Sequence, residues 1–236
     1  MSGKKRKNTP THAAEPLSIE RYLFPAGLWL LWVGYFRPWI QHPSAALTMS
    51  GYMLAEWVRL LPGVQLSQLP FQKIHFRLPF SIAILLTAAW ALEVGIHLLW
   101  RGKAGALWGR RLALLVALAG CLALLPGYPH LIDWQADPTA PQNIILALCT
   151  LIGVLAMPYI TSLPQRFVSW LLLALTLFTL GWNGWLMMQV LPPTAQLYGK
   201  MPAIGWGWML MQAGLLLLMV AFFSRRVWGR QIRPTI

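Results

Sequence analysis

Leu78–Trp100, LPFSIAILLTAAWALEVGIHLLW, is the stretch whose reading decides the fold. At about 1.5 Å per residue, a helix of this length crosses the hydrocarbon core of a bilayer, for which about 20 apolar residues suffice. It nevertheless contains Glu93 and His97. No other carboxylate lies in the interior of an apolar block, so any unusual chemistry within the membrane is expected to start here.

Working outward, five further apolar blocks surround it, at about 20–36, 110–127, 143–160, 167–190 and 206–223. The 236 residues are 57% hydrophobic and 11% charged, with a mean hydropathy of +0.55, a composition no soluble domain of this size shows. Lys and Arg outnumber Asp and Glu by 19 to 6. In a soluble chain that excess would suggest nucleic acid. Here the charges sit between apolar blocks, where they set orientation and meet anionic lipid headgroups, so no nucleic-acid partner is expected. Cys121 and Cys149 fall in separate blocks with no CxxC pair, which argues against thiol redox chemistry or a zinc site.

Residues 1–19, with Lys4, Lys5, Arg6 and Lys7, cannot bury a core and are expected to form a disordered cytoplasmic tail. The first block is followed by Arg37-Pro38-Trp39, not by a small-x-small cleavage pattern, and reads as a retained helix. The segment 37–77 is too long for a featureless connection. Ser50 is placed to cap a short amphipathic helix reaching Leu61, with Met53, Leu54, Trp57 and Val58 at helical spacing, lying in the outer membrane interface. Beyond it, Ile74, Phe76 and Leu78 alternate with Lys73, His75 and Arg77, which predicts an extended strip.

The third block carries a small-residue seam, Ala113, Ala117 and Gly120, of the kind that lets membrane helices approach closely. The fifth carries Ser169, Thr176, Thr179 and Asn183 on one side, a polar seam. Leu191–Gly205, with Pro192, Pro193 and Pro202, reads as a loop, and residues 224–236 as a second basic cytoplasmic tail. Counting Lys and Arg on the two sides gives 14 against 5, which places both termini in the cytoplasm. The expected architecture is an all-α integral membrane protein, a six-helix bundle in the plasma (inner) membrane with an outer interfacial segment between its first two helices.

Glu93 and His97, four residues apart, share a helix face that continues through Ala89 and Leu86. His97 lies near the cytoplasmic end. Glu93 is about 10 Å deep by the helical rise and has no Lys or Arg at comparable depth inside a block, which favours the neutral acid. It reads either as a proton- or cation-responsive site or as a hydrogen-bonded packing group. Asn183 and Gln212 are matched in depth in the outer half and are expected to bond each other, with Thr176 and Thr179 the only polar steps between them and Glu93. His42, His75, His130, Asp133 and Asp137 fall on the outer side without metal-ligand spacing, and no metal, haem or other cofactor is expected. No nucleophile motif or nucleotide loop is present.

These residues point to a non-enzymatic membrane subunit of a transport or other complex, with cationic turns docking anionic lipid or a partner polypeptide. One alternative is a stand-alone proton- or cation-coupled carrier or channel using Glu93. The other is an enzyme acting on lipid-linked substrates through Glu56, His75, Asp133 and Asp137.

Overall fold

The structure, a computed structural model, describes residues 20–42, 48–58, 73–93, 103–126 and 140–228. Within them the chain is almost wholly helical: α1 (Glu20–Phe36), α2 (Gly51–Trp57), α3 (Lys73–Glu93), α4 (Lys103–Ala123), α5 (Ala140–Thr161), α6 (Gln165–Tyr198) and α7 (Trp206–Trp228). Four helices, α3, α5, α6 and α7, are long and apolar enough to cross a membrane, and α1 is a shorter apolar helix. The tail 1–19, the end of the Leu78–Trp100 stretch including His97, and the loop holding His130, Asp133 and Asp137 lie outside the described residues.

α3 is the hub. It packs against α1, α2, α4, α5 and α6, and 72% of its apolar window is buried, against 28% for α5. The helix starts at Lys73, not Leu78, so the predicted strip at Ile74–Leu78 is in fact its first two turns. The local alternation fits a strand, but the same residues, wound into a helix, put Lys73 and Arg77 on one face four apart. Pro79 sits inside this helix and supplies no N–H to the carbonyl four residues back, that of His75. The indole of Trp182 on α6 takes that oxygen at 3.1 Å.

α1 and α7 form the closest pair. Gly27 and Gly34 are seven apart on α1, as are Gly207 and Gly214 on α7, and the antiparallel helices bring Gly27 to Gly214 and Gly34 to Gly207. A Cβ built on Gly34 would stand 2.5 Å from the Met211 nitrogen and 2.7 Å from the Gly207 oxygen, and one on Gly214 would stand 2.7 Å from the Gly27 oxygen. Backbone therefore meets backbone, with no room for a side chain. The expected seam on α4 is also present: Ala113 and Ala117 are buried, and Gly120 faces Ile84 of α3 and Trp32 of α1.

Ser50 caps α2 as expected, its hydroxyl accepting the Met53 N–H at 3.2 Å. Leu54, Ala55 and Val58 are buried while Met53 and Trp57 face outward. A small antiparallel sheet lies beside it: β1 (Pro38–Gln41) pairs with β2 (Met49–Ser50) on one edge and β3 (Ala203–Ile204) on the other. It ties the segment after α1 to the segment before α7. Contrary to the loop expected from Leu191, α6 runs on through Pro192-Pro193 to a left-handed cap at Gly199 (φ 68°). The Thr194 hydroxyl steadies that turn by donating to the Val190 oxygen at 2.7 Å. α7 likewise continues past Phe223 to Trp228, where a tail was expected.

Candidate functional site

Among the described residues, several groups of polar side chains interrupt the apolar interior. One joins α2, α3 and α4. Arg77 is 2% exposed, and its guanidinium donates to Glu56 Oε1 at 2.5 Å and to the carbonyls of Leu124 and Leu125 just beyond α4. Lys73 donates to the other Glu56 oxygen at 2.7 Å. One carboxylate thus bridges two cations, while Arg77 also satisfies orphan carbonyls at the negative end of the α4 dipole. The Tyr52 ring lies 5.8 Å from the guanidinium, and Tyr35, stacked on Phe80 at 4.6 Å, donates to the Phe76 oxygen. Partial burial pushes the Glu56 carboxyl up, but the hydrogen bond from Lys73 and the Arg77 charge outweigh it and hold the group below the ordinary carboxylate value.

A second group stitches the spans together. Thr150 donates to the Leu146 oxygen at 2.7 Å, so the 2.7 Å contact between Ser81 and Thr150 is donated by Ser81. Trp32 on α1 donates to Thr87 on α3 at 2.9 Å. Thr176 and Thr179 are buried as the polar seam requires, but their hydroxyls donate to Leu172 and Leu175 of their own helix. Back-bonded in this way, they offer no step between distant polar groups.

The third group lies between α6 and α7. Asn183 is fully buried, but it does not bond Gln212 as expected. Its amide N–H donates instead to the sulfur of Met211, one residue earlier on α7, at 3.7 Å. The Asn183 Oδ1, the Gln212 Oε1 and the Trp208 Nε1 are buried without a hydrogen-bond partner among the described residues.

Glu93 is the last residue of α3, and the face leading to it is buried at Leu86 and Ala89. Glu93 closes a helix whose opposite end carries Lys73 and Arg77, both engaged with Glu56. Sequence reasoning missed this clasp, although Lys73 and Arg77 at i, i+4 and the lone acid of α2 were visible signals. His75 stacks against Trp182 at 5.6 Å and His42 against Tyr198 at 4.7 Å, and among the described residues no group of acidic, His and Cys side chains could hold a metal. Cys121 is buried and Cys149 exposed. Comparison of the chain with protein-family models, curated proteins and solved structures gave no match.

Proposed function

We propose that the chain is a non-enzymatic subunit of an integral membrane complex, transport assemblies being one such class. It crosses the plasma (inner) membrane six times, by α1 and α3–α7, with both termini in the cytoplasm. The observation that carries the reading is how the polar groups within the spans are used. Ser81 is spent on Thr150, Trp32 on Thr87, and the Thr176 and Thr179 hydroxyls on their own backbone, so each of these groups serves packing. The basic start of α4, where Arg110 and Arg111 are exposed and Arg111 lies over Trp108 at 5.7 Å, suits anionic headgroups or an acidic partner on the cytoplasmic side.

The test is purification from native membranes in mild detergent. A second polypeptide in fixed stoichiometry is the expected result, and a lone chain active in reconstituted flux refutes the subunit reading. The carrier alternative draws support from the buried Leu86–Ala89 face that leads to Glu93. On that alternative Glu93→Gln abolishes proton-coupled flux in liposomes; on the subunit reading there is no flux to lose. The outer-face enzyme gains no such support, because Glu56 is committed to Lys73 and Arg77.

A further inference from the structure

The last turns of α1 border an open groove of about 460 Å³, lined among the described residues by Trp32, Val33, Phe36 and Arg37. That volume lies within the roughly 300–1,000 Å³ of small-molecule sites. At helical spacing these four residues and Trp29 share one side of α1, away from buried Leu31 and Tyr35. Phe36 and Trp29 are 47% and 64% exposed, so the apolar strip is accessible along its length. Its polar end is held in place. The Arg37 N–H closes onto the Val33 oxygen at 3.1 Å, and a Cβ on Gly207 would stand 2.5 Å from the Arg37 carbonyl, so the first turn of α7 clamps this backbone. The exposed Arg37 guanidinium lies over the Trp206 ring at 5.4 Å. Among the described residues no carboxylate or carbonyl meets it, whereas Lys73 and Arg77 share Glu56.

A guanidinium laid over a ring face keeps its N–H edge free, and that planar edge matches the oxygens of a phosphate. The apolar lining discriminates little by itself, because every lipid tail is apolar, so recognition falls to the charge at the groove's end. In the orientation proposed above, Arg37 stands at the outer end of α1, with Trp32 and Val33 about 6–8 Å deeper and Trp29 about 12 Å deeper by the helical rise. A phospholipid presents its phosphate and its tail in that order. We infer that Arg37 binds the phosphate of an anionic phospholipid of the outer leaflet, with an acyl chain lying in the groove of Trp32, Val33 and Phe36. A zwitterionic lipid carries its own cation beside the phosphate and gains less from the pairing. The inference rests on α1 spanning the membrane with this end outward and is independent of whether the chain has a partner subunit.

The probe is phosphatidylglycerol with a diazirine on one acyl chain, compared with phosphatidylcholine bearing the same chain, each at equal fraction in neutral proteoliposomes of the full chain. After illumination, mass spectrometry maps the cross-links. Segment 29–37 should be labelled about fivefold more by phosphatidylglycerol, the preference one cation near the surface gives an anionic lipid. Arg37→Gln should bring that label down to the phosphatidylcholine level. Val33→Trp, which fills the groove and keeps the charge, should cut it several-fold, and it decides the matter should Arg37→Gln fail to fold. Arg111→Gln, on α4, should leave it unchanged. Equal labelling by the two probes, or phosphatidylglycerol labelling unchanged in both α1 variants, overturns the site. An equal loss in Arg111→Gln overturns it too, because overall charge then governs the label. Loss of the label on adding inorganic phosphate overturns the lipid as ligand in favour of free phosphate. A chain that leaves the membrane on alkaline extraction overturns the membrane reading and the site together, which separates that failure from failure of the site alone.

Discussion

The His75 carbonyl and the Trp182 indole are partners because of a residue that touches neither bond: Pro79 removes the N–H that would have closed the helix onto His75, and Trp182, arriving from α6, donates to the freed oxygen at 3.1 Å. Trp182→Phe should therefore destabilise the protein by about 1 kcal/mol, since it strands a half-buried carbonyl. Pro79→Ala restores the helix's own donor. In the double variant the loss from Trp182→Phe should shrink, and urea unfolding of the four proteins in a fixed detergent micelle reads the coupling. Strict additivity would mean that the indole bond is unrelated to the proline.

The glycines divide into two classes that substitution should separate. Gly34→Ala drives a methyl into the Met211 and Gly207 backbone, which cannot withdraw as a flexible side chain can, and about 1–3 kcal/mol of destabilisation is expected. Gly181 and Gly184 on α6 have nothing within 4 Å of an added Cβ, so alanine there should be neutral or stabilising by up to about 1 kcal/mol from helix propensity. Thermal unfolding of the three single variants makes the comparison.

Acid should act through Glu56. Its folded carboxyl is held below the ordinary value, so the clasp contributes full stability above that value and loses it as pH falls through the depressed one. Stability should be flat from neutral pH down to about 4.5 and decline below it. Glu56→Gln should lower the unfolding temperature at neutral pH and flatten the acid limb. An unchanged acid limb in that variant would show that other carboxylates govern it.

Hydroxyls on different helices should differ in worth. Thr150→Val removes an inter-helix bond with Ser81 and should cost about 0.6–1.7 kcal/mol, the range for such bonds in membranes. Thr176→Val and Thr179→Val remove only back-bonds within α6 and should be nearly neutral. Losses at Thr176 as large as at Thr150 would mean that its hydroxyl reaches across to another helix.

Much of this arrangement was legible in the residues. The apolar block at Glu20–Phe36, the Ser50 cap and the Ala113–Gly120 seam all behave as their spacing requires, because each depends on local sequence alone. The misreadings share a cause. Residues 73–78 alternate as a strand does, and only a neighbouring carboxylate, Glu56, makes it favourable to wind Lys73 and Arg77 into a helix start where the dipole disfavours cations. Pro192-Pro193 would end most helices, yet α6 continues to Tyr198, with Thr194 closing onto Val190. The Asn183–Gln212 pairing was inferred from depth, and depth says nothing of azimuth; the Asn183 amide meets Met211 instead. Helical spacing puts Trp208 and Gln212 on one side of α7, but only the structure shows their polar atoms unmatched among the described residues.

The reciprocal glycines of α1 and α7 bear on how the protein is made. Among the described helices α1 has α7 as its closest neighbour, so its bare glycine face stays unmatched until α7 has been synthesised. The pairing of β1 with β3 likewise waits for the segment just before α7. Closure of this seam therefore waits for α7. A chain truncated before Trp206 should be left with an open seam that a membrane insertase or quality-control protease can recognise.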